Sequence, residues 1–172
     1  MVINGRILWE MAPIKGMLRF KERNHGVSHG LGEAGYDICL KQHIHFCPET
    51  DGMRVTKATK RPDGSIFIDE HKKGRFILAS AIEEFQMPND VVGIVHDKST
   101  WARCGLSVFN TVIEPGWKGF LTLELVYHGD EELILPAGAG IAQVLFHSLA
   151  EPAIYDGKYQ NQEDKPIPAR LR

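Results

Sequence analysis

Residues 95–127 read VHDKSTWARCGLSVFNTVIEPGWKGFLTLELVY, and the closing run of this stretch decides the architecture. In Phe120-Leu121-Thr122-Leu123-Glu124-Leu125-Val126-Tyr127 a period of two sets Leu121, Leu123, Leu125 and Tyr127 on one face and Phe120, Thr122, Glu124 and Val126 on the other, the pattern of a β-strand. Glu is a poor strand former, and in so apolar a strand its carboxylate is expected to be partly buried. A buried carboxylate needs hydrogen-bonding or cationic partners; otherwise its pKa rises until it keeps a proton near neutrality. Either state suits a group that moves protons. An edge-strand Glu124 facing water is an equal alternative at this point. Upstream lie a Pro115-Gly116 turn followed by Trp117, and a cluster of Lys98, Ser99, Thr100 and Arg103. Two adjacent hydroxyls flanked by cations can cradle a phosphate chain through charge-assisted hydrogen bonds, although a solvated loop is the commoner use of such a composition.

Outward from this stretch, short strand-like runs recur at 66–69, 76–81, 91–95, 106–109, 133–135 and 141–146, many of them separated by Gly, Pro or Asn-Asp. From Tyr36 onward the chain alternates, with Ile38, Leu40, Ile44 and Phe46 pointing one way and Cys39, Lys41, His43 and His45 the other. This spacing predicts a mostly β domain, barrel or sandwich. Asn4 is placed to cap a short N-terminal helix through about Met11, with Ile7, Leu8 and Met11 on one side. Residues 21–35, rich in Gly, His and charge, read as a loop, and after Glu151 the chain turns polar, as a mobile tail would.

A chain of 172 residues, 43% hydrophobic, is expected to be one domain with enough core to fold without staples. A net charge of -2 gives no reason to expect nucleic acid or an acidic membrane as partner. Cys39, Cys47 and Cys104 are odd in number and lack CxxC spacing, which argues against a disulfide framework. No apolar run reaches the roughly 18 residues of a membrane span, and no signal peptide opens the chain, so a reducing cytoplasm is the default expectation.

Several motifs carry a resemblance. Ser99-Thr100-Trp101-Ala102-Arg103-Cys104-Gly105-Leu106, Ile113-Glu114-Pro115-Gly116-Trp117-Lys118-Gly119 and Leu121-Thr122-Leu123-Glu124-Leu125 resemble, in order, the central motifs of the dCTP deaminases, which share a fold with trimeric dUTPases. Ala34-Gly35-Tyr36-Asp37-Ile38 resembles the first shared motif, Gly140-Ile141-Ala142-Gln143 the fourth, and residues 155–162 (YDGKYQNQ) the deaminase closing segment. The resemblance implies a dUTPase-like distorted β-barrel or jelly-roll with a short N-terminal helix, assembled as a homotrimer with sites built from neighbouring subunits. It makes residues 1–172 a single domain in which about 151–172 form a mobile closing tail.

The resemblance also implies roles. Glu124 falls at the acid/base position that takes a proton from water and passes it to the cytosine ring, with Ser99 and Arg103 positioning the water and the carboxylate. Lys98, Ser99 and Thr100 fall in the triphosphate loop and Glu114 at a nucleoside-binding position. Trp117 stands where a ring packs near the deoxyribose or simply in the core. Thr122, Leu123 and Gln143 fall within substrate-binding motifs, and Tyr155, Lys158 and Gln162 match tail residues that fold over the phosphates. Mg²⁺ is expected on the triphosphate; Asp37 either approaches it through water or holds the fold together, the second being favoured. Zinc is not expected: the HxE and PCxxC elements of zinc-dependent nucleobase deaminases are missing, and His43 and His45 have no cysteine pair to complete a site.

The implied reaction is dCTP to dUTP and ammonia within pyrimidine deoxynucleotide metabolism, with dCTP and dUTP as ligands and dTTP a candidate inhibitor. A dUTP diphosphatase using Glu114 as base, a bifunctional enzyme, and a nucleotide-binding regulator without turnover are the alternatives. Three departures stand out: Lys98 replaces the usual Arg, Glu114 is one methylene longer than the usual Asp, and the segment between Leu106 and Ile113 is about two residues short.

Overall fold

The structure is a computed structural model and describes residues 1–109 and 111–171. It opens with β1 (Val2–Ile3) and α1 (Gly5–Met11), followed by β2 (Lys21–Asn24), β3 (Val27–Leu31), β4 (Tyr36–Cys39), β5 (His43–Glu49), β6 (Gly52–Lys60) and β7 (Ile66–Lys73). Then come β8 (Phe76–Gln86), β9 (Val91–Asp97), α2 (Ser99–Ala102), β10 (Leu106–Val108), β11 (Val112–Ile113), β12 (Lys118–Tyr127), β13 (Leu133–Leu135) and β14 (Gly140–Ser148).

Three sheets enclose one core. The largest runs β11-β9-β14-β4-β3-β2 with β1 added against β14; a second is β10-β12-β8, and the third β13-β5-β6-β7. Inward residues of all three, among them Ile38, Phe46, Ile77, Leu123, Leu125 and Phe146, are fully or almost fully buried. Burying a side chain of this size contributes roughly 1.5–3 kcal/mol, so the period-two apolar positions found in the sequence are what close the sheets. The inward face of β12 is buried as the alternation requires, while on the outer face Thr122 is buried as well, covered by the C-terminal segment; β12 lies between β10 and β8. Glu124 is therefore not on a sheet edge, which removes the edge-strand alternative, and its side chain is half-buried.

Two of the shared motifs are neighbours in the large sheet, where β14 pairs with β4 so that Gln143 faces Asp37. The backbones come too close there for side chains: a Cβ at Gly35 would lie 2.2 Å from the Val144 carbonyl oxygen, and one at Gly140 2.0 Å from that of Ser28. Glycine at these motif positions is a packing requirement.

The structure corrects three expectations. Residues 21–35 are not a loop: β2 and β3 form a hairpin turned by His25 and Gly26, both at positive φ. The residues of β2 (KERN) are all exposed, so there was no alternation to see. The strand β6 was not anticipated, and neither were β1 and β11, each only two residues long. Along α1 only Leu8 is buried, Ile7 being 64% exposed, and the Asn4 side chain makes no cap but donates to the Glu33 carbonyl at 2.8 Å.

Candidate active site

The residues singled out by sequence fall into two groups. The first lines a cavity of about 500 Å³. Its floor is the outer face of β12, where Thr122 and Glu124 stand two residues apart and so point the same way. One wall is Phe76 and Leu78 of β8; another is the segment leading into β12, including Thr111, Glu114 and Trp117. Glu114-Pro115-Gly116-Trp117 is a tight turn in which the Trp117 N–H donates to the Glu114 carbonyl at 3.2 Å and Gly116 takes φ +71°, a value that favours glycine. The turn holds Trp117 almost fully buried, its ring 6.1 Å from that of Phe85, and leaves the Glu114 side chain exposed at the rim.

The third wall is the C-terminal segment. Tyr155, Tyr159, Gln162 and Ile167 face the cavity. The segment is laced to the floor: Gly119 bridges Gln162, Thr122 Oγ1 donates to Gln162 Oε1 at 3.1 Å and accepts from the Ile167 N–H at 3.0 Å, and Trp117 Nε1 donates to the Tyr159 carbonyl at 2.6 Å. Gln160 Nε2 donates to the Gly116 and Tyr155 carbonyls, both at 3.0 Å. A Cβ on Gly119 would lie 2.5 Å from the Gln162 nitrogen, so the close approach depends on glycine. Tyr159, Gln160 and Ile167 were not singled out by sequence; the recurrence of Tyr155 and Tyr159 in an otherwise polar tail was the available signal. Lys158 points elsewhere, its ammonium on the Arg170 carbonyl.

Within this cavity Glu124 is half-buried, and burial pushes its carboxyl above the usual carboxylate range against the opposing effect of its own backbone N–H. Its backbone carbonyl is engaged with the Phe109 N–H at 3.0 Å, fixing the strand. Among the described residues no side chain is recorded donating to the carboxylate. A partly desolvated carboxyl beside a sizeable cavity, its proton affinity raised by burial, is suited to taking and giving protons. Leu123, on the opposite face, is buried in the core.

The second group surrounds α2. Lys98 Nζ is ion-paired with Asp37 Oδ2, which also accepts from Ser28 Oγ at 3.2 Å, and both charged side chains are largely buried. Trp101 Nε1 donates to the Gly140 carbonyl at 2.7 Å. These bonds tie the single turn of α2 to β4 and β14, and they leave Ser99, Thr100 and Arg103 exposed. Gln143 is half-buried on β14 between Asp37 and His96. None of Lys98, Ser99, Thr100, Arg103 or Gln143 lines the cavity that holds Glu124. In one chain the cation-hydroxyl group and the carboxylate are thus separate. The shortened segment joining them includes Asn110, which lies outside the described residues.

The architecture is similar to that of dUTPases: that of Staphylococcus bacteriophage 80alpha superposes with a TM-score of 0.50 at 14% identity, covering 92% of this chain and 95% of its own, and that of phage phi11 of S. aureus with the same score and identity over 85% and 93%. This likeness concerns the fold. A family model described as dCTP deaminase-like matches residues 20–149, and the chain belongs to that family. Its relatives include proteins named dCTP deaminase from Campylobacter fetus, 36% identical over 89% of each chain, and from Protochlamydia amoebophila, 32% identical over 88% of this chain and 85% of its own. Among the described residues no helix is long and apolar enough to cross a membrane.

Proposed function

We propose that the protein deaminates dCTP to dUTP and ammonia, a step of pyrimidine deoxynucleotide metabolism, with Glu124 as general acid and base. The observation that carries the reading is the half-buried Glu124 carboxyl on the floor of the cavity, with burial holding its proton affinity up. Water adds to C4 of cytosine while Glu124 takes its proton; the same proton passes to N3, and a tetrahedral centre forms. A second transfer through Glu124 converts the amino group into a leaving group, the C4–N bond breaks, and ammonia departs. One carboxyl whose proton affinity burial raises serves each step.

Mg²⁺ enters as part of the substrate. It is a hard ion that keeps most of its waters and binds through phosphate oxygens, so it needs no protein cage. Ser99, Thr100 and the exposed Arg103 supply donors for the phosphates and for the attacking water, Gln143 supports that surface, and Lys98 holds the loop through Asp37. Trp117 and Thr122 shape the sugar pocket, and Leu123 contributes as part of the strand that carries Glu124. The segment 151–172, with Tyr155 and Gln162 facing the cavity, closes over the nucleotide and excludes water, and Lys158 reaches the phosphates by leaving the Arg170 carbonyl. That Ser99 and Arg103 do not share a cavity with Glu124 in one chain supports a site completed between subunits of a homotrimer; a cytoplasmic location belongs to the same reading.

A second reading has one observation in its favour: Glu114 lines the same cavity, where it can activate water against the α-phosphate of dUTP. The test is to incubate the protein with Mg²⁺ and either dCTP or dUTP, following ammonia and pyrophosphate, beside Glu124→Gln. Ammonia from dCTP alone, reduced about 10²–10⁴-fold in the variant, is expected. Pyrophosphate from dUTP without ammonia from dCTP would make Glu114 the base.

A further inference from the structure

On the outer face of the sheet β13-β5-β6-β7, away from the cavity, His45, Cys47 and Glu132 bring a ring nitrogen, a thiol sulfur and a carboxylate oxygen all within 4.8 Å of one another. The sheet dictates the meeting. His45 and Cys47 are two apart on β5, so both point outward while Ile44 and Phe46 fill the core. The partner strand β13 runs antiparallel with Leu133 opposite Phe46, and Glu132 directly precedes it, beside Cys47. His45 Nε2 and Glu132 Oε1 are already in contact at 2.7 Å.

We propose that these three side chains form a site for one divalent transition ion of the zinc class, which ties β5 to β13. The donor set makes the choice of ion. Three oxygens would suit calcium or magnesium, but a thiolate and an imidazole with one carboxylate select a borderline-soft cation. Ligand distances of about 2.0–2.3 Å to such an ion put donor atoms roughly 3.5 Å apart in a tetrahedral site, a spacing small rotamer changes reach from here. The one cation opposite Cys47 on β6, Arg54, is held by Glu49 through both its Nε and Nη2, so its charge is balanced. On binding, the Cys47 thiol loses its proton to solvent, His45 Nε2 turns from Glu132 to the metal as its ring proton moves to Nδ1, and water takes the fourth position.

The site is tested with the full chain, stripped of metal and titrated with Co²⁺. The expected result is one equivalent bound, with a thiolate-to-cobalt charge-transfer band that one equivalent of Zn²⁺ removes. The band is lost in Cys47→Ser, and affinity falls at least tenfold in His45→Gln and Glu132→Gln, while Cys104→Ser, which removes the exposed cysteine, leaves everything unchanged. Zn²⁺ should also raise the melting temperature of the wild type and not of Cys47→Ser. A wild type without the band, a band that survives Cys47→Ser, or one lost in Cys104→Ser overturns the proposal. If Cys47→Ser fails to fold, the exposed Glu132→Gln decides, and unchanged affinity there overturns it equally. None of these readouts depends on the deaminase reading.

Discussion

Two carboxyls on adjacent strands are both pushed upward by burial, and what meets them gives them different tasks. Glu124 opens onto the cavity. Glu83 lines a second, separate cavity but turns both oxygens to the Cys39 N–H at 3.0 Å, and burial raises it to about 7 from 4.5. For Glu124 the consequence is kinetic. A base must lose its proton before it can take one from water, so kcat/KM for dCTP should fall on the acid side through a pKa above the ordinary carboxylate range. An acid limb at or below about 4.3, the unperturbed Glu value, would argue against Glu124 as the base. For Glu83 the consequence is thermodynamic. Its folded-state pKa is raised, so the protonated group favours folding below about 4.5, and that contribution is lost as pH rises toward about 7. Denaturant unfolding at intervals over that window should show a stability loss of up to about 3 kcal/mol that Glu83→Gln removes. A variant whose pH dependence parallels the wild type would contradict this.

Among the elements, β12 and the tail that lies on it are the pair on which the proposed turnover rests. Gly119→Ala places a methyl against the Gln162 backbone, and Thr122→Val deletes the hydroxyl that bonds both Gln162 and Ile167. Thr122→Val should lower kcat at least tenfold with little change in melting temperature, whereas Gly119→Ala, at φ +133°, should lower both. Equal losses of activity and stability in Thr122→Val would mean instead that the tail is structural. The elements differed in how plainly the sequence announced them. The strand β12 was legible because its leucines alternate without interruption, and β13 because it is a short apolar run, Leu133-Ile134-Leu135. The strand β6 was hidden because Lys57 occupies an inward position in series with Met53 and Val55, satisfied by Glu70 at 3.0 Å and by the Leu78 carbonyl at 2.9 Å. A cation at a core position breaks the pattern that reveals strands, and only its partners, distant in sequence, explain it. The site was legible in the same uneven way. Glu124, Glu114 and Trp117 sit on one continuous motif series and share one cavity, whereas Tyr159 and Ile167 join it through tertiary contacts that no local pattern encodes.

At the scale of the molecule, the separation of Ser99 and Arg103 from Glu124 makes a prediction about assembly. If each site draws α2 from one subunit and β12 from another, Arg103→Ala and Glu124→Gln are each inactive alone. Mixed trimers refolded from equal amounts should then recover activity, with about a quarter of sites intact for random mixing. Absence of recovery, with mixed trimers verified by mass, would place both groups in one chain's site.

The strand β14 lies between β9 and β4 and also carries β1, so the largest sheet has the last strand of the chain at its middle. During synthesis, β4 and β9 must therefore wait, unpaired on the sides that β14 will fill, until Gly140–Ser148 has emerged. Pairing across such sequence separation is slow, and the waiting edges are apolar and open to other chains. The order of synthesis thus leaves this sheet open at its middle until Gly140–Ser148 is available to close it.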